Sequence, residues 1–258
     1  MHMELDRLAS SKISAFQGKE SRNNRLILES LALNGPAIKY GIFRVLKNTI
    51  ENYPTISRRV DDLKRGGYIE AAGTRAVKVG NRIGESHIYG LTWRGFFASL
   101  AIENVRRNLL AVLEANSVLE RMLPKSIPKR VVIDVLNNMF SKEELDRVVG
   151  GFLQGYLMAI PDNLESVRDA ESVAYLVPAF IRSPNVWADV GKKDLSSLFL
   201  IEGFPQLLLD MIEKFETQMA QTLEAIRSLK GIIQPFVMSG AKSESKYLSA
   251  TPLSHQRN

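Results

Sequence analysis

Apolar residues between positions 22 and 91 recur first at helical spacing and then in alternation. Leu26, Ile27, Ser30 and Leu31 share one side of a helix predicted over 22–33, which Asn34-Gly35 ends. Pro36 suits the first turn of a second helix carrying Ile38, Ile42, Phe43 and Leu46, and 48–52 is a turn. Pro54 opens a third helix, in which Ile56, Val60 and Leu63 make one apolar stripe and Gly66-Gly67 the stop. Tyr68, Ile69 and Ala71 predict a short strand, 73–84 a loop in which cations alternate with glycines and small residues, and 87–91 a return strand.

Beyond this the pattern is helical throughout. Thr92 is placed to cap a helix carrying Trp93, Phe96, Phe97 and Leu100, and the apolar period continues through Val105, Leu109, Val112, Leu113 and Leu119 until Pro124. A segment over 128–140 precedes Ser141 and Glu144, the spacing of a capping box, and a helix then runs through Leu145, Val149, Phe152 and Leu157 to Pro161. Further helices are predicted over 162–181 and 194–203, with 184–193 as loop. The final one, over 204–230, sets Ile212, Phe215, Met219, Thr222, Ile226 and Leu229 at alternating steps of three and four, a heptad-like seam. That seam is equally one wall of a helical core or a homodimer interface. Residues 1–21 read as a flexible polar arm and 239–258 as a disordered tail. The expected organisation is therefore an N-terminal domain over 22–97 and a helical dimerisation or effector domain over 98–238.

Charge sharpens this division. Between Lys39 and Arg82 ten basic residues face four acidic ones, a surplus of +6 equal to the net charge of the whole chain, whereas 101–239 carries a net of −3. A basic front and a mildly acidic rear is the distribution expected where one part meets polyphosphate. On the third helix Arg58, Asp61 and Arg65 lie opposite the apolar stripe, flanked by Thr55, Ser57, Arg59 and Asp62. Arginine forks onto guanine O6 and N7, and threonine or serine at a helix N-terminus reaches bases or phosphates. Thr55, Ser57, Arg58, Arg59 and Arg65 are thus candidate DNA contacts, with Lys39 beside them. Over 73–86, Arg75, Lys78 and Arg82 suit a wing that neutralises phosphates from the backbone or minor groove. The competing use of the same helix is simple ion pairing on a solvated face, Arg58 and Asp62, like Asp61 and Arg65, being four apart.

These residues carry a family resemblance. The run Pro54-Thr55-Ile56-Ser57-Arg58-Arg59-Val60-Asp61-Asp62-Leu63, with Gly66 or Gly67 and Tyr68-Ile69, resembles the recognition helix and first wing strand of bacterial and archaeal winged helix-turn-helix transcription regulators in the neighbourhood of the MarR and PadR families. Tyr89-Gly90-Leu91-Thr92 with Gly95 is similar to the end of their wing. Residues 22–97 are covered. The resemblance implies a mainly α fold of three helices and a β-hairpin wing, with Thr55, Ser57, Arg58 and Arg59 in the major groove and Arg75, Lys78 and Arg82 working from the wing. Trp93-Arg94 and Phe96-Phe97 depart from it, where charged residues are usual, and imply an exit helix buried against the rear part.

Duplex DNA is accordingly the expected ligand and transcription regulation the expected role, in a cytoplasmic homodimer. The alternative is a winged-helix scaffold binding protein in a nucleic-acid-associated assembly. No cysteine is present and the three histidines are scattered, so thiolate and histidine metal sites are not expected, nor any cofactor. Catalytic motifs are missing, and no membrane span or signal peptide is expected. A small-molecule effector would need a pocket built from Tyr156, Tyr175, Phe180, Trp187 or Phe199, which serve equally as core.

Overall fold

A computed structural model describes residues 2–79, 82–117, 120, 128–159 and 196–199, together with 205–206, 209, 213, 216–217, 219–221 and 223–234. It is mainly helical, with one small three-stranded antiparallel sheet. The chain divides into two compact units, 1–207 and 208–258.

In the first unit α1 (His2–Lys12) replaces the expected polar arm. Leu5, Ala9 and Ile13 recur every four residues and are buried, which is enough to seat a mostly polar helix on the core. A 3-10 turn (Ser14–Phe16) leads to α2 (Ser21–Asn34), whose Ile27, Leu28, Leu31 and Ala32 form the centre of the unit. Gly35 ends α2 with a φ of 76°, a left-handed conformation open to glycine. The chain then departs from the expected second helix. Ala37–Ile38 form a short strand, β1, paired with the last strand, and α3 (Lys39–Leu46) starts only after it. Two extended residues carry no period of their own, so their pairing with Tyr89 and Ile88 decides their conformation.

Helix α4 (Tyr53–Arg65) follows, with Ile56, Val60 and Leu63 buried as the stripe requires. Its end is a Schellman motif. The Tyr68 N–H donates to the Leu63 carbonyl at 2.9 Å and the Gly67 N–H to the Lys64 carbonyl at 3.0 Å, with Gly67 at φ 72°. Strands β2 (Ile69–Val79) and β3 (Arg82–Leu91) pair antiparallel, and the sheet order is β1-β3-β2. The ladder steps past Ala72, a bulge between Ala71 and Gly73.

The return from β3 into α5 (Trp93–Leu100) is tied to the end of α4. The Thr92 N–H donates to the Tyr68 carbonyl, and the Thr92 hydroxyl donates to the Gly67 carbonyl while accepting from the Gly95 N–H. Arg94 reaches the Gly66 carbonyl at 2.9 Å. Gly95 sits so close to Tyr68 that a Cβ there would lie 1.8 Å from the Tyr68 carbonyl oxygen. The spacing from Tyr89 to Gly95 thus has a local physical cause.

Helix α5 is buried, as its aromatic composition implies: Phe97 stacks on Tyr156 with centroids 5.0 Å apart. After α6 (Glu103–Arg107), α7 (Leu109–Ala115) and α8 (Lys129–Met139), α9 (Lys142–Ala159) opens on the expected capping box. There the Ser141 N–H donates to the Glu144 carboxylate and the Glu144 N–H to the Ser141 hydroxyl. The buried Arg106 guanidinium links α6 to α9 through Asp146, at 2.9 Å, and donates to the Leu100 and Ala101 carbonyls at the end of α5. The expected boundary at 97/98 runs through this core, with Phe96 and Ala98 both buried, while the contacts divide the chain at 207/208. A helical turn, α10 (Ser196–Phe199), and helical residues 205–206 complete the described part of this unit.

In the second unit 223–234 is continuously helical, four residues past the expected end at 230. Its Leu223, Ile226, Leu229, Ile232 and Ile233 are exposed. The expected helix over 162–181, the loop 184–193 and the tail 239–258 lie outside the described residues. Among the described residues no helix is long and apolar enough to cross a membrane.

Candidate nucleic-acid interface

The stripe that seats α4 determines what its other face presents. With Ile56, Val60 and Leu63 inward, Pro54, Arg58, Asp61, Lys64 and Arg65 are exposed, while Thr55, Ser57, Arg59 and Asp62 sit at the margins, half-buried. Arg58 is the most available of the expected base-reading cations: its side chain is 64% exposed and its nearest carboxylate, Glu20, is 3.8 Å away.

The other cations are more committed. Lys39, at the first position of α3, donates to both oxygens of Asp61 at 2.7 Å and to the Ser57 hydroxyl at 3.2 Å. It holds α3 to α4 and occupies the Ser57 hydroxyl as well, an internal use of a residue that the sequence places among the candidate DNA contacts. Arg59 and Arg65 both pair with Asp62. Arg59 is only 16% exposed, so it faces the protein more than any groove, whereas Arg65 is 78% exposed. The pairing along α4 differs from the expected i,i+4 scheme. Asp61 is satisfied from α3, which leaves Asp62 to bind the two arginines three residues either side of it.

The segment expected as a flexible cationic loop is mostly ladder. Pairing continues from Ala71 opposite Tyr89 out to Val79 opposite Arg82, giving a two-stranded ribbon. Arg75 lies opposite Ser86 and Lys78 opposite Ile83, and because the two cations are three residues apart they point to opposite faces. Both are exposed, and neither forms an ion pair among the described residues. For Arg82 only its place in the ladder is described. A ribbon with a cation on each face contacts two walls when it enters a groove, and one wall when it lies flat.

No family model, no curated protein and no solved structure matches the chain. Sequence reasoning missed Lys64, exposed on α4 and without an ion pair among the described residues, and it missed the outward face of α3. On that face Tyr40, Arg44 and Lys47 stand at steps of four and three, a period readable in the sequence but overlooked beside the apolar one.

Two of the five aromatic residues expected around an effector pocket are described. Tyr156 is buried between Phe97 and Phe152, stacked on both, and Phe199 is half exposed. Tyr175, Phe180 and Trp187 lie outside the described residues.

Proposed function

We propose that this chain is a winged-helix protein that binds double-stranded DNA, with α4 in the major groove and the β2–β3 ribbon as a wing on the backbone and minor groove. The observation that carries this reading is the disposition of charge. Asp61 and Asp62, the two acids of the α4 surface, are matched within the fold by Lys39, Arg59 and Arg65. Arg58, Lys64, Arg75 and Lys78 are left exposed on the helix and ribbon that would meet a duplex. Arg58 then reads bases, and Lys64, Arg75 and Lys78 neutralise phosphates.

The expected outcome of substitution separates these roles. Arg58→Ala costs about 1–3 kcal/mol on a preferred site and little on random duplex, whereas Arg75→Ala and Lys78→Ala weaken all duplexes alike. Competition binding with selected and scrambled fragments checks this, and equal losses on both from Arg58→Ala would remove it from base readout.

Transcription regulation by a homodimer fits the same reading. In the second unit Ile233 extends the alternating three-and-four steps past Leu229, and Ile226, Leu229 and Ile233 are exposed. β-Branched Ile226 and Ile233 with Leu229 between them suit a two-stranded coiled coil, and two such protomers would present two recognition helices to paired half-sites. Light scattering is expected to give a dimer that Ile226→Asp converts to monomer. A dimer surviving in Ile226→Asp and Ile233→Asp alike would take this helix out of the interface.

The commitment of Lys39, Arg59 and Arg65 to internal acids favours a second reading, a winged-helix module that binds protein in a nucleic-acid-associated assembly. It requires a stoichiometric protein partner captured by the intact chain and released by changes on α4, with no affinity for duplex.

A further inference from the structure

The outward face of α3 carries chemistry that the duplex reading leaves unused. At about 100° per residue, Phe43, Lys47, Tyr40 and Arg44 fall within an arc of roughly 100°. Tyr53, at the start of α4, joins them. The three rings form a closed triad, with centroids 6.1 Å apart for Tyr40 and Phe43, 6.2 Å for Tyr40 and Tyr53, and 5.7 Å for Phe43 and Tyr53. Both Tyr53 contacts are edge-on, so the rings brace one another, yet Tyr40 remains 57% and Tyr53 39% exposed. Aromatic surface fixed in this way and left in water marks a binding surface more than a packing defect.

Charge selects the occupant. Helix α3 and Lys47 just beyond it carry Lys39, Arg44 and Lys47 and no acid. Lys39 is taken by Asp61, while Arg44 and Lys47 are exposed and form no ion pair among the described residues. An apolar protein segment would leave two cations beside it without counter-charges. A nucleic-acid strand with unpaired bases satisfies both features at once, since every base has a π-face for the rings and every linkage a phosphate for the cations.

We propose that Tyr40 and Tyr53, backed by Phe43, are a stacking platform for unpaired bases, with Arg44 and Lys47 on the flanking phosphates. Together with duplex binding by α4 and the ribbon, on which this part of the inference rests, the platform makes the protein a reader of junctions between duplex and single strand.

The test compares three labelled probes on the full chain: a blunt duplex, the same duplex with an oligo(dT) tail, and free oligo(dT). The tail is expected to raise affinity about tenfold for each stacked base. The double variant Tyr40→Ala with Tyr53→Ala abolishes that gain, and Tyr40→Ala alone, which lies outside α4, reduces it while leaving blunt-duplex affinity unchanged. Tyr40→Phe with Tyr53→Phe keeps it, because stacking needs the ring and not the hydroxyl. Arg44→Ala with Lys47→Ala, which removes no ring, weakens tail binding and reduces its salt dependence. A tail that adds nothing, the result expected if the rings instead pack a protein, overturns the proposal, as does a gain that survives loss of both tyrosines. Binding of oligo(dT) through the platform without any blunt-duplex binding upholds the platform and refutes the duplex reading. Failure to bind all three probes overturns both.

Discussion

Gly95→Ala is expected to destabilise the first unit by about 4 kcal/mol, roughly 3 from overpacking and about 1 from a lost helix cap. The added Cβ would lie 1.8 Å from the Tyr68 carbonyl oxygen and 2.9 Å from its carbon, and both belong to backbone that cannot rotate away. That oxygen also accepts the Thr92 N–H, and Thr92 caps α5 through the Gly95 N–H. Relief therefore means moving α5 off the end of α4 and giving up the cap, the Tyr68 bond and the Arg94 contact to Gly66 together. In a unit of this size the melting temperature should fall by on the order of 10 °C. Gly84→Ala is the internal control: nothing lies within 4 Å of its Cβ position, so circular dichroism melts should match the parent. Equal melting of both variants would mean that α5 does not sit against Tyr68 as described.

Removing either partner of the Arg106–Asp146 pair should cost about 3–5 kcal/mol, the usual penalty for breaking an ion pair inside a protein. The side chains are 3% and 8% exposed, so neither remaining charge regains full hydration. Arg106→Ala should be the worse of the two. It strips Asp146 of its guanidinium and also leaves the Leu100 and Ala101 carbonyls at the end of α5 without their donor. Arg106→Met combined with Asp146→Leu should recover the part of the loss due to the unpaired charge, because apolar side chains need no counter-charge, but not the part due to the Leu100 and Ala101 carbonyls. Urea unfolding of the two single variants and the double provides the check. Single losses under about 1 kcal/mol, or strictly additive ones, would show that the pair does not hold α6 to α9.

What could be read from the chain was what repeats or punctuates. The Ile56, Val60, Leu63 stripe, the Gly66-Gly67 stop, the Thr92 cap and the Ser141–Glu144 box are all local patterns, and all four are present in the structure. What escaped was set by partners far away in sequence. β1 exists because Ala37 and Ile38 find β3, and the ribbon extends because Thr74 to Val79 find His87 to Arg82, although the glycines and cations there read as a loop. α1 was obscured by its polar composition, its burial resting on three residues. At the interface the cation inventory was legible but its use was not. Lys39 is 22 residues from Asp61, and Arg106 is 40 from Asp146. Which charges remain for a ligand depends on pairings of that kind.

The central claim, that α4 and the ribbon bind duplex DNA, is tested most directly by titrating the intact protein with duplex over a range of salt. With Lys64, Arg75 and Lys78 on phosphates, log K should fall against log salt with a slope of about −3 per protomer, reduced by about 1 in either Arg75→Ala or Lys78→Ala. No binding at low salt, or a slope that neither ribbon variant changes, would contradict it.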